Sequence, residues 1–197
     1  VFIVYAVPLG LLLGFLLGGR LEGLSTVRFR WAWLAFAGLA AQVVLFGGAV
    51  DGLVGSAGPG LYVASTVAVL VAVVRNIAVP GLALVALGAV SNLAAIVANG
   101  GYMPTDPAAL AFAGLEPSEG FSNSVVDPDP ALRPLTDVFA LPAGMPMANV
   151  FSVGDVLIGV GVAVTIVLAM RRRPGQASRA DAEEAATGAV RAGTSPD

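Results

Sequence analysis

Five stretches of this chain, 1–19, 31–50, 57–74, 78–98 and 152–170, each run for roughly 20 residues, and across all five there is a single charged side chain, Asp155. A helix needs about 20 apolar residues to cross the hydrocarbon of a bilayer, and shorter runs cross by thinning it or tilting. The pattern therefore predicts an all-α integral membrane protein, a bundle of about five transmembrane helices over residues 1–173. With 57% hydrophobic and 12% charged residues and a mean hydropathy of +0.87, little polar surface remains for a water-soluble fold. In the third run the short apolar part 61–74 and Pro59 at its entrance predict a tight hairpin to the fourth through Arg75 and Asn76.

All ten basic residues are arginines, and their placement sets an orientation. Arg20, Arg28 and Arg30 lie in the first connection, Arg75 in the third, and Arg171, Arg172 and Arg173 after the last run. The long connection 99–151 carries Arg133 against Asp106, Glu116, Glu119, Asp127, Asp129 and Asp137. The positive-inside rule then predicts a multi-pass protein of a bacterial inner membrane, N-terminus outside and C-terminus cytoplasmic. The lipid bilayer is its expected partner, with other membrane subunits beside it and no nucleic acid. Residues 174–197, rich in Ala, Gly, Ser and charge, are expected to be a disordered cytoplasmic tail.

Without Cys, His or Lys the chain has no thiol nucleophile, disulfide, histidine triad, Schiff-base lysine, or zinc or haem ligand set, so no cofactor or metal is expected. Carboxylates, amides, hydroxyls and guanidiniums remain. Gly10, Gly14 and Gly18, four residues apart, predict a flat face for close helix packing. Gly88, Asn92, Ala95 and Asn99 share one helical face leading outward, which Ser91 and Gln42 could join. The external loop 99–151 holds eight of the thirteen prolines and enough apolar side chains to fold as a cap, with Asp106, Pro107 and Gly114 marking a short helix.

An ionised group at the centre of a membrane helix costs at least ~2.5 kcal/mol, so Asp155 needs a reason for its position. One reading is a capping box with Ser152 at the positive end of the helix. The other is a functional carboxylate facing Asp137 in the preceding loop. Asn92, Asn99, Gly100, Gly101 and Asp155 are the candidate ligand-binding residues, the two glycines permitting close approach of a ligand. Asp137 and Asp155 are the candidate catalytic pair.

The motif Asn99-Gly100-Gly101-Tyr102-Met103-Pro104, a Pro-rich loop with Leu135-Thr136-Asp137, and Phe151-Ser152-Val153-Gly154-Asp155 opening the last helix resemble a family of bacterial membrane proteins of unknown function. That resemblance spans about 1–170 and implies a multi-span protein, with no activity attached. A local resemblance to signal peptidase II, an aspartyl peptidase of bacterial membranes, rests on Phe151, Asp155, Ile158 and Gly161, and on Leu135 to Phe139. It implies Asp137 and Asp155 as a catalytic dyad, although that family's Asn-Arg motif before the first aspartate is absent here. Three functions follow as expectations: a binding, transport or accessory protein with an outward-facing polar site, an intramembrane aspartyl peptidase, and a structural subunit of a membrane complex.

Overall fold

The computed structural model describes residues 3–47, 55–117 and 122–172. The expected disordered tail 174–197 and the end of the second apolar run lie outside them. Five long helices form where the apolar runs predict them: α1 (Ile3–Leu16), α2 (Ala32–Phe46), α3 (Gly58–Arg75), α4 (Leu82–Ala98) and, last in the chain, α6 (Val153–Met170). The short α5 (Pro107–Phe112) lies in the loop between α4 and α6, where Asp106 accepts hydrogen bonds from the N–H groups of Ala108 and Ala109, and Gly114 leaves the helix with φ +66°.

Helix α6 packs between α1 and α4, α4 packs also on α3, and α3 on α2, so neighbours in space run α1, α6, α4, α3, α2. Small residues make these contacts. On the α1 face a Cβ on Gly10 would lie 3.0 Å from the Ala163 Cα, and one on Gly14 would collide with the Met170 sulfur. Between α4 and α6 a Cβ on Gly88 would strike the Gly154 carbonyl, and one on Gly161 would lie 2.7 Å from the Gly81 carbonyl oxygen. Large side chains point the other way: Leu16, Phe36 and Val43 are each more than 70% exposed. Interiors of small residues and apolar exteriors are what helix association in lipid requires. Two helical segments, Gly55–Arg75 and Val153–Met170, are long and apolar enough to cross a membrane, and α1, α2 and α4 are apolar but shorter.

The connections are tied by side-chain amides and backbone turns. Asn76, after α3, accepts from the Arg30 N–H (2.7 Å) and donates to the Arg30 and Ala72 carbonyls (both 2.7 Å), while the Arg75 guanidinium lies 5.8 Å from the Trp31 ring. Gln42 donates to the Thr66 hydroxyl at 3.2 Å, so it joins α2 to α3 rather than extending the polar stripe of α4.

The all-α expectation needs correction in the loop 99–151, which contains strands. β1 (Met103–Thr105) pairs in parallel with β2 (Ser124–Val126), and β3 (Phe139–Ala140) pairs antiparallel with β4 (Val150–Phe151). Pro104 disfavours helical angles at Met103, and β-branched Val125 and Val126 suit an extended partner. Phe139 stacks on Phe151 with centroids 5.7 Å apart. The result is a folded cap at the α4 C-terminus and the α6 N-terminus. Beneath it Leu45, Tyr62, Ala95, Ile96 and Met103 form a buried cluster joining α2, α3 and α4 to β1.

Glycine at the α4–α6 contact is a steric requirement. Gly161→Ala is expected to lower stability by about 1–3 kcal/mol, because the methyl must displace backbone rather than a flexible side-chain end. Gly60, with open space where a Cβ would sit, should accept Ala at no cost or gain ~0.5–1 kcal/mol. Thermal unfolding of the two purified variants checks the contrast, and equal effects would contradict it.

Candidate polar site at the junction of bundle and cap

The apolar run of α6 begins at Ser152, whose φ of −102° and ψ of 171° put it outside the helix as N-cap. Its hydroxyl accepts from the Asp155 N–H at 3.1 Å, and Asp155 Oδ2 accepts from the Ser152 N–H at 3.0 Å, a reciprocal capping box. This is one of the two readings the sequence allows for Asp155, and it uses only one carboxylate oxygen. The other, Oδ1, accepts from Asn92 Nδ2 on α4 at 2.9 Å, and Asn92 Oδ1 accepts from the Ser152 hydroxyl at 2.8 Å. Ser152, Asp155 and Asn92 thus close a ring of four hydrogen bonds between two helices. Gly154 makes room for it, since a Cβ there would overlap the Asn92 side-chain oxygen. Ser152 is fully buried, and Asn92 and Asp155 are half-buried.

Asp137 reaches the same region from the cap. Its backbone forms a parallel bridge with Thr105, donating to the Pro104 carbonyl and accepting from the Asp106 N–H, both at 3.0 Å. Only 9% of Asp137 is exposed, and its Oδ1 is buried without a hydrogen-bond partner. Burial pushes its pKa up to about 7, and the negative charge of Asp155 adds to the rise. Tyr62 of α3, hydrogen-bonded to Asn123 of the cap, lies within electrostatic reach of both carboxyls. Among the described residues the one ion pair is Arg133 with Asp106 at 2.8 Å, and that guanidinium holds the Asp106 carboxyl below its usual range. Among the described residues neither Asp137 nor Asp155 has an ion-paired cation.

The structure joins Asn92 and Asp155 by hydrogen bonds, adds Ser152 to them, and places Asp137 and Tyr62 within electrostatic reach of Asp155. Asn99, Gly100 and Gly101 lie elsewhere, at the end of α4. Asn99 spends its amide on the cap, donating to the Ala95 (2.8 Å) and Ala131 (2.9 Å) carbonyls and accepting from the Ala131 N–H (2.9 Å). Gly100 and Gly101, with φ of +72° and +92°, turn the chain out of the helix, and a side chain on Gly101 would collide with Pro59. Ser91 stays beside Asn92 with its hydroxyl buried and without a partner. Ser152 was visible in the sequence as a cap, but its bond to Asn92 has no local signature. Tyr62 carries no sequence signal beyond being a hydroxyl in an apolar helix.

Residues 26–167 match a family described as a family of unknown function (DUF5317), and the chain belongs to that family. No curated protein and no solved structure matches it.

Because Ser152 and Asn92 act through one ring, their losses should not add. Ser152→Ala and Asn92→Ala are each expected to cost about 1–3 kcal/mol, from the lost cap and from the polar group each leaves unpaired. The double variant should cost less than their sum by at least ~0.5 kcal/mol in a double-mutant cycle of thermal or denaturant unfolding. Strict additivity would show that the ring is not a unit.

Proposed function

We propose that this member of a family of unknown function is a five-span protein of a bacterial inner membrane, a binding or transport protein whose outward-facing site is the carboxyl pair Asp137 and Asp155. Its ligand is a small cation taken in exchange for a proton. The observation that carries this reading is the Asp137 carboxyl: nine-tenths buried, one oxygen unpartnered, within electrostatic reach of a second acid that is already hydrogen-bonded. Two acids close together do not both ionise readily. At neutral pH the pair holds a proton or attracts a cation in its place.

The packing order supports five spans although only two helices reach full length. If α6 crosses the hydrocarbon, α1 and α4, which flank it, lie in the same hydrocarbon, and α2 and α3 continue the layer. At 1.5 Å per residue the shortest of the five, α1 with 14 residues, extends ~21 Å and needs the bilayer to thin around it. The arginine asymmetry places the cap outside and the end of α6 in the cytoplasm.

The peptidase alternative uses the same pair, with Asp137 as the protonated acid and Asp155 as the carboxylate. Against it, the cap's hollow of about 650 Å³ is lined by residues such as Tyr102, Asn123 and Val150, with neither carboxyl among them. A purely structural subunit leaves the cost of burying Asp137 without a return.

That cost supplies the test. An aspartate whose pKa rises from 3.8 to about 7 on folding stabilises the fold while it stays protonated, below about pH 4. Stability then falls as pH rises through the window from about 4 to about 7, because the unfolded chain releases its proton first. Asp137→Asn removes this dependence, so the variant should be more stable than wild type at pH 8, by up to ~4 kcal/mol. Sodium, potassium or methylammonium at constant ionic strength should stabilise wild type at pH 8 and leave Asp137→Asn unmoved. A variant less stable than wild type at pH 8, with no cation effect on either, would return Asp137 to a structural role. Reporters fused after Met170 should read cytoplasmic and those inserted near Gly120 external, and the reverse would place the site on the other face.

A further inference from the structure

Along the side of the bundle away from α4, α1 and α6 leave an apolar groove of about 470 Å³, lined by Leu9, Leu13 and Leu17 on one wall and Gly159, Ala163 and Val167 on the other. Its walls carry almost no polar surface. It begins near Tyr5, whose hydroxyl donates to the Pro146 carbonyl, and from Tyr5 to Leu17 it runs ~18 Å at 1.5 Å per residue. That length slightly exceeds the ~15 Å of hydrocarbon in one leaflet.

Leu17 also lines a second hollow, of about 750 Å³, at the C-terminal end of α6, so the two adjoin at that residue. Here the character inverts: Arg20, Arg171 and Arg172 face it, with Glu22 as the one carboxylate. A backbone hydrogen bond from the Arg20 N–H to the Met170 carbonyl, 2.8 Å, sets Arg20 beside the two arginines that follow α6. Gly23 packs against the same helix end, with space for no side chain between it and the Ala169 carbonyl. None of the three guanidiniums forms an ion pair among the described residues.

We propose that this seam binds one anionic phospholipid, an acyl chain lying in the α1–α6 groove and the phosphate resting on Arg20, Arg171 and Arg172. An apolar channel ~18 Å long, enough for one extended acyl chain, that adjoins three guanidiniums without an ion pair among the described residues has the two chemistries of such a lipid in the order the lipid presents them. A free anion would use only the second hollow, and a zwitterionic lipid would gain nothing from an excess of positive charge. The inference rests on the membrane reading above and is independent of the carboxyl pair.

The test is lipid retention. The full chain is reconstituted in vesicles of equal parts phosphatidylcholine and phosphatidylglycerol, extracted in mild detergent, and its bound lipid identified by native mass spectrometry. Phosphatidylglycerol should be enriched over phosphatidylcholine at least about tenfold. The triple variant Arg20→Gln, Arg171→Gln, Arg172→Gln should lose that enrichment. Val160→Trp, which fills the groove wall with all three arginines intact, should also lower it, and Arg28→Gln, at a residue that lines neither hollow, should not. Equal retention of both lipids, or equal loss in Arg28→Gln, would overturn the proposal. So would displacement by inorganic phosphate with Val160→Trp silent, which assigns a free-anion site instead. Recovery of each variant in the vesicle fraction reports separately on the membrane reading: protein absent from the bilayer sinks that reading, whereas inserted protein without lipid selectivity sinks this one alone.

Discussion

The hydrogen-bonded ring of Ser152, Asp155 and Asn92 is the interaction on which the rest of the structure depends. It opens the apolar run of α6, satisfying N–H groups that no preceding turn can reach. It also fastens α6 to α4 at the one place where both carry polar side chains, and it fixes one wall of the site. Apolar helices packed through glycine can slide with little change in contact area. An amide donating to one neighbour and accepting from another has one good register. The glycines at 88, 154 and 161 let the backbones approach, and the ring selects where they meet.

Asp137 is the energetic counterpart of that ring. The carboxylate of Asp155 has an amide and a backbone N–H as partners, whereas Asp137 is carried by β1 into a buried position with one oxygen unsatisfied. Burial and the negative charge of Asp155 act on Asp137 in the same direction, pushing its pKa up to about 7, whereas both oxygens of Asp155 accept hydrogen bonds from protein. At the opposite end of α6 the charge pattern is reversed, with guanidiniums and one carboxylate. A single helix therefore joins the acidic residues under the cap to a basic hollow at its other end.

What could be read from the sequence was local. Ser152 and Asp155 stand three residues apart before an apolar run, Asp106 precedes Pro107, and Gly10 and Gly14 repeat at helical spacing, so the two caps and a flat face on α1 follow from short-range rules, whereas Gly18, expected on that face, lies past the end of α1 with nothing packed on it, and α6 as the partner has no local signature. The Asn92 stripe was legible as a face but its partner was not, because the bond to Asp155 spans 63 residues. The strands of the cap were not legible either: they are two or three residues long, and their pairing is set by folding against α4 rather than by any alternation. Asn99 shows the limit most plainly. An amide followed by two glycines has the look of a ligand cradle, and the same residues end a helix and clamp a loop when Ala131 comes to lie beside them.

The central claim is that Asp137 and Asp155 act as a coupled pair, and infrared spectroscopy of the protonated carboxyl reads that coupling directly. Wild type should show a carboxylic-acid C=O band that titrates near pH 7 and vanishes in Asp137→Asn. In Asp155→Asn the same band should titrate at lower pH, because the neighbouring charge that raised it is gone. A band already lost by about pH 4, the ordinary range of an aspartate, or one that Asp155→Asn leaves unmoved, would contradict the pair and leave Asp155 as a helix cap alone.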